Sequence, residues 1–310
     1  MKLHSLVNAL FFSMILVLLN SCDDNEVFPE EQADGKRYLK GTSSFVFNEF
    51  APLADKPTTV YYHVPDDVDQ NTKIVMAFHG AGRDAKETRD DLLNLADENQ
   101  LILIVPEFSQ ENFPGGDGYN LGNVFIDGDK PSPSTLNDEG QWAFSLIDPL
   151  FEYVKVLAAN QSSTFHVFGF SAGGQFAHRL VLFKPNSKVD QVVTASSGWY
   201  TMPNDQVDFP YGINKSPVST SSLATIFAQQ LTVLIGEADN DPNAGGLRRN
   251  SRADVQGTNR LDRANYFYNE SKAIASGTGT TYNWQYVSLK NVNHNINATA
   301  EYAFNTIFNN

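Results

Sequence analysis

Residues 164–183 read TFHVFGFSAGGQFAHRLVLF, and the fold turns on how this stretch is read. TFHVF is a short β-branched and aromatic run, the signature of a buried strand. QFAHRLVLF, directly beyond it, has the character of a helix. Between them Gly169-Phe170-Ser171-Ala172-Gly173 follows the pattern G-x-S-x-G. A strand that passes straight into a helix through this pattern holds its serine on a strained turn, with the hydroxyl projecting outward. The flanking glycines remove side chains that would clash where strand and helix approach. Ser171 is therefore the candidate nucleophile.

Working outward, the same alternation repeats. Lys73–Phe78 (KIVMAF) and Leu101–Val105 (LILIV) are continuous apolar runs, as expected of strands covered on both faces. Asp84–Asn99 lies between them with Leu92, Leu93, Leu95 and Ala96 on one helical side. Ser44–Phe47 and Thr59–Val64, separated by Pro52 and Pro57, predict an opening antiparallel pair. Downstream, Gln191–Ala195, Leu231–Ile235 and Trp284–Leu289 read as strands, and Asn259–Ala275 and Ala298–Phe308 as helices. Glu139–Ala159 predicts one helix kinked at Pro149. Residues 109–137 and 198–230 read as long loops, a length usually tied to function in a compact domain. The pattern is that of an α/β protein with a doubly wound, mostly parallel sheet. It predicts one domain over residues 43–310.

The chain has 310 residues, 41% of them hydrophobic, enough to bury a large core and to exclude disorder for most of the length. Lys and Arg total 22 against 36 Asp and Glu, a formal charge of −14. Such a chain lacks an electrostatic footprint for phosphate, which excludes nucleic acid as a partner. The same charge disfavours highly anionic substrates such as unesterified pectin, unless local patches override it. Cys22 is the single cysteine, so neither an intramolecular disulfide nor a cysteine zinc cluster can form.

Lys2 followed by the apolar run Leu6–Leu19 suits a signal peptide, the run being short of the about 20 residues a spanning helix needs. Leu19-Asn20-Ser21-Cys22 resembles the lipobox of bacterial lipoproteins. That resemblance implies removal of residues 1–21, acylation of Cys22, and anchoring in the bacterial cell envelope, at the outer membrane, facing the periplasm or the cell surface. An ordinary secretory signal or an uncleaved anchor are the alternatives. Asp23, Asp24, Glu26, Glu30 and Glu31 give residues 22–42 the character of a solvated acidic tether.

Three strand exits carry the remaining chemistry. His79-Gly80-Ala81-Gly82 ends KIVMAF. A turn of small residues there lets backbone N–H groups of Gly80 or Ala81 face the crevice at the strand ends. With the N–H of Ala172 they would form an oxyanion hole, while the His79 ring is read as structural. Asp239, just past LTVLI, could orient a histidine, with Asp241 as its rival. His294 follows the last strand, and an imidazole titrates near neutrality, as a general base requires. His63, His166 and His178 lie inside strand or helix patterns and read as structural. Phe108, Trp199 and Tyr200 each follow a strand. They are candidates to line the crevice mouth as platforms for sugar rings or phenolic groups, or else to pack on the scaffold.

Together these residues make the chain resemble the α/β-hydrolases over residues 43–310. It is most similar to the secreted esterase branch of poly(3-hydroxybutyrate) depolymerases and feruloyl esterases. The resemblance is carried by His79-Gly80, by GFSAGG at residues 169–174, and by the G-x-x-D turn Gly236–Asp239. It implies a Ser171, Asp239 and His294 triad that hydrolyses carboxylic esters through an acyl-serine, with no metal or organic cofactor. The implied substrate is an ester, polymeric in the form of esterified polysaccharide or polyester. The chain departs from that branch in lacking disulfides and in its own loop sequences at 109–137 and 198–230. A serine peptidase on the same fold and a surface binding lipoprotein with an inactive site are the competing readings.

Overall fold

The computed structural model describes residues 38–309. The signal stretch, Cys22 and most of the acidic tether lie outside the described residues. β1 (Gly41–Phe47) and β2 (Thr58–Val64) form the opening antiparallel pair, Gly41 opposite Val64 and Phe47 opposite Thr58. β3 (Ile74–Phe78), α1 (Ala85–Glu98) and β4 (Ile102–Pro106) make the first crossover unit, with β3 and β4 parallel. A short helical turn, α2 (Gly115–Gly118), interrupts the first long loop, and α3 (Ile147–Leu157) follows it. β5 (Phe165–Phe170) passes directly into α4 (Ala172–Phe183). Then come β6 (Val189–Ala195), α5 (Leu223–Ala228), β7 (Gln230–Gly236), α6 (Arg260–Thr278), β8 (Gln285–Leu289) and α7 (Ile296–Tyr302).

Among the described residues eight strands join one sheet in the order β1-β2-β4-β3-β5-β6-β7-β8. β4, β3, β5, β6, β7 and β8 are mutually parallel, and β2 pairs with β4 antiparallel. Alternation along each strand explains the continuous apolar runs. Ile74, Met76 and Phe78 join the core on one face, with Val75 and Ala77 on the other. Likewise Ile102 and Ile104 face one way, Leu103 and Val105 the other. α3, α4 and α6 cover the first face through residues such as Phe151, Phe176 and Phe267. α1, α7 and the turn after it cover the second through Leu92, Ala300 and Phe304.

Two expectations need correction. Residues 139–159 are not one kinked helix. Short 3-10 turns at Glu139–Gln141 and Ala143–Leu146 precede α3, so Pro149 falls in the first turn of the true helix. An N–H there has no intrahelical acceptor, so its loss in proline breaks nothing. The segment 198–230 is not wholly loop either, since it contains α5, whose Leu223, Ile226 and Phe227 are buried.

Candidate active site

Parallel strands bring the exits of β3, β5, β6, β7 and β8 to one edge of the sheet, where the candidate residues gather. Ser171 sits there with φ 56° and ψ −112°, a conformation that costs on the order of 1–3 kcal/mol outside glycine. Two backbone bonds hold it: the Ser171 N–H donates to the Ala195 carbonyl at 2.9 Å, and the Gln175 N–H donates to the Ser171 carbonyl at 3.0 Å. Each neighbouring glycine is required by a close backbone approach. A Cβ on Gly169 would strike the backbone of Gly173, and one on Gly174 would stand 2.7 Å from the Ala195 carbonyl oxygen. A Cβ on Gly173 would overlap the Phe78 carbonyl and lie 2.9 Å from that of His79.

That last contact sets the start of α4 against the end of β3. His79 leads directly into the Gly80–Ala81 turn, and the first N–H groups of α4, Ala172 among them, have no intrahelical acceptor. Gly80 is half-buried, Ala81 is exposed, and nothing lies within 4 Å of where a Gly80 Cβ would project. His79 is committed to holding this turn. Its ring contacts the Gly80 carbonyl at 2.9 Å through Nδ1, and Nε2 accepts from the Phe108 N–H at 3.1 Å. The carbonyl makes Nδ1 the donor, so the ring is neutral, and burial lowers its pKa to about 4. Tyr119 donates to the His79 carbonyl at 2.7 Å, and the Arg83 guanidinium stacks 4.6 Å from the Tyr119 ring centroid. Arg83 in turn donates to the carbonyls of Phe108, Phe113 and Gly115, tying the 109–137 loop to the turn. This Arg83–Tyr119 brace was not legible in the sequence.

Across the edge, the exits of β7 and β8 are locked together. The Glu237 N–H donates to the Leu289 carbonyl and the Ala238 N–H to the Val292 carbonyl, both at 2.9 Å. Gly236 permits this approach, since a Cβ there would strike Val292 and stand 2.9 Å from the Asn293 carbonyl. The lock delivers Asp239 to His294, whose Nδ1 lies 2.7 Å from Asp239 Oδ2. A carboxylate only accepts, so Nδ1 carries the proton and Nε2 is left to accept one. Asn295, immediately after His294, caps α7 by accepting from the Ala298 N–H at 3.0 Å. The His294 ring packs 4.6 Å from that of Phe170, the residue before Ser171. Asp239 is 4% exposed and His294 32%, so the acid is sealed while the imidazole meets solvent. Asp241, the rival, is exposed and accepts from the Asn243 N–H at 2.8 Å.

Comparison with known proteins follows the same lines. The chain is 34% identical to the solved poly(aspartic acid) hydrolase-1 from Sphingomonas sp. KT-1, with a TM-score of 0.80 over 87% of this chain and 100% of that one. The chain belongs to the α/β-hydrolase family. The poly(3-hydroxybutyrate) depolymerase from Bordetella parapertussis matches at 26% identity and a TM-score of 0.81, over 87% of this chain and 90% of that one. Feruloyl esterase B of Thermothelomyces thermophilus is 28% identical over 137 residues, 43% of this chain and 42% of that protein. The hydrolase thus spans under half of that relative's length. No family model matches the chain. These likenesses mark it as an enzyme of the carboxylic ester hydrolase type.

The aromatic residues expected at the crevice mouth of this hydrolase are elsewhere. Phe108 is wholly buried, packed against Phe113, Tyr119 and Phe176. Tyr200 is equally buried, stacked 4.3 Å from Phe267. Trp199 is buried beneath Arg179 and Arg248, whose guanidiniums lie 4.2 and 4.9 Å from its ring. A residue just past a strand points to solvent only if no distant segment covers it, and here the 109–137 loop and α6 do. Among the described residues no group of three or more His, Cys, Asp or Glu could hold a metal ion.

Proposed function

We propose that this hydrolase cleaves carboxylic esters through an acyl-serine, with Ser171 as nucleophile, His294 as general base and Asp239 as its orienting acid. The observation that carries this reading is the 2.7 Å bond between His294 Nδ1 and Asp239 Oδ2. It joins two strand exits far apart in sequence, at the sheet edge where Ser171 stands on its strained turn. His294 Nε2 takes the proton of the Ser171 hydroxyl as the oxygen attacks the ester carbonyl. The oxyanion is met by the N–H of Ala172 and by that of Gly80 or Ala81; one such donor is worth about 2.7–4 kcal/mol. His294 passes its proton to the departing alcohol, leaving Ser171 acylated. Water, deprotonated by the same ring, then releases the acid and regenerates the serine. No step in this sequence calls on a metal or organic cofactor.

Ser171 is half-buried and His294 partly exposed, which suits a bulky or polymeric ester reaching the site from solvent. The named activities of the relatives on polyester and feruloyl esters support that substrate class. A second reading is an amide hydrolase. It is favoured by the 34% identity to poly(aspartic acid) hydrolase-1, since poly(aspartic acid) is joined through amide bonds. We further propose, from the sequence of residues 1–22 alone, that the enzyme is held at the bacterial envelope by acylated Cys22. Detergent phase partition of wild type against Cys22→Ser tests this, with loss of partition in the variant expected.

The deciding experiment follows p-nitrophenyl ester and p-nitroanilide hydrolysis from pH 5 to 9, with Ser171→Ala alongside. Ester turnover that rises with pH, disappears in Ser171→Ala and coincides with fluorophosphonate labelling of Ser171 is expected. A folded wild type that is neither labelled nor active on either bond would remove the acyl-serine reading in favour of a binding protein.

A further inference from the structure

We infer that Arg260, a residue with no place in the triad, is a positioning residue that holds the Asp239 carboxylate in place against His294. The inference rests on the acyl-serine reading above. Arg260 Nη1 lies 3.4 Å from Asp239 Oδ1, the oxygen that does not face His294, and both side chains are buried, 5% and 4% exposed. The carboxylate is therefore gripped on opposite oxygens by a guanidinium and an imidazole. The Leu261 N–H, next along α6, donates to the Asp239 carbonyl at 3.1 Å. The start of α6 thus docks onto the acid through both backbone and side chain.

Two observations argue that scaffold stability alone does not explain this arginine. It is the first residue of α6, with Asn259 as its cap, where the helix dipole disfavours a cation. Its Nε is buried without a hydrogen-bond partner, and Nη2 reaches only the Gly245 carbonyl at 3.2 Å. The side chain is thus held towards Asp239 with part of its donor capacity unmet. A guanidinium on Oδ1 opposes rotation of the carboxylate, which leaves Oδ2 directed at His294 Nδ1.

Other charged and titratable groups around the pair are turned away or exposed. Glu237 accepts from the Ser288 hydroxyl at 2.9 Å, Asp241 is exposed on its own turn, and Lys290 is exposed after β8. Tyr200 is the exception, buried within reach of the Asp239 charge; burial first, and that carboxylate with it, push its phenol up, so it stays neutral. Arg263, also on α6, is engaged with Asp254 and the Gly198 carbonyl.

The test is the split between kcat and KM for p-nitrophenyl acetate in wild type, Arg260→Met, Arg260→Gln and Arg260→Lys. Loss of the guanidinium is expected to lower kcat about three- to tenfold with KM little changed. Arg260→Lys is expected to restore most of it. An unchanged kcat in folded, fluorophosphonate-labelled Met or Gln variants would overturn the inference, as would a kcat in Arg260→Lys as low as in Arg260→Met. Should neither neutral variant fold, Arg260→Met combined with Asp239→Asn removes both buried charges together and is better tolerated. Acting through Asp239, the arginine adds no further loss to Asp239→Asn, and a further tenfold loss would refute it. Ser171→Ala separates the two claims: activity that survives it ends the acyl-serine reading, whereas its loss beside an unchanged kcat in the Arg260 variants ends only the role of Arg260.

Discussion

Gly173→Ala tests how the oxyanion turn is held. The added methyl would overlap the Phe78 carbonyl oxygen and stand 2.6 Å from the Phe78 carbonyl carbon and 2.9 Å from the His79 oxygen. Carbon atoms in contact sit about 3.5 Å apart or more, so the end of β3 and the start of α4 must separate by roughly 1 Å. Both contacts are backbone, and no rotamer can relieve them. Overpacking of this kind costs about 1–3 kcal/mol of stability. A displacement of about 1 Å at a reacting centre can lower the rate about 10²-fold. The separation parts the start of α4 from the Gly80–Ala81 turn, the two sources of the donors proposed for the oxyanion. The loss therefore belongs in kcat, with KM little changed. Steady-state kinetics beside urea unfolding measure both quantities. Gly277→Ala is the control: nothing lies within 4 Å of a Cβ there, and alanine suits an exposed position in α6. A kcat for Gly173→Ala within threefold of wild type would refute the argument that this glycine sets the oxyanion geometry.

Asp239→Asn is expected to lower kcat about 10³- to 10⁴-fold by presenting the wrong tautomer of His294, while Asp241→Asn stays within a factor of about three; the reverse order would transfer the acid's role to Asp241. Stability should also fall in mild acid. Burial lowers His79 and His166 from 6.5 to about 4 and His178 well below 6.5. The unfolded chain therefore binds more protons between pH 6.5 and 4. The stability from keeping these rings neutral is complete above pH 6.5 and is lost as pH falls towards 4, about 3 kcal/mol for each of His79 and His166. Urea unfolding at pH 7, 6 and 5 reads this slope, and an unchanged free energy across that range would contradict it.

Features that depend on neighbours in sequence were legible without coordinates. IVMAF, after Lys73, and LILIV announce strands buried on both faces because every position in them is apolar. GFSAGG between strand and helix announces a turn only small residues can make. Local sterics and side-chain periodicity suffice for each. Pro149 misled because proline breaks a helix interior yet suits its first turn, and the sequence does not say which turn it occupies. That Asp239 rather than Asp241 meets His294 needed the backbone bonds between the β7 and β8 exits, which turn one carboxylate inward and leave the other in water. Phe108 and Tyr200 are buried because the 109–137 loop and α6 fold over the strand ends. Arg260 reaches the acid only because α6 starts against the β7 exit. Burial and charge pairing at those points are set by segments distant along the chain, and no local pattern records which of them will meet.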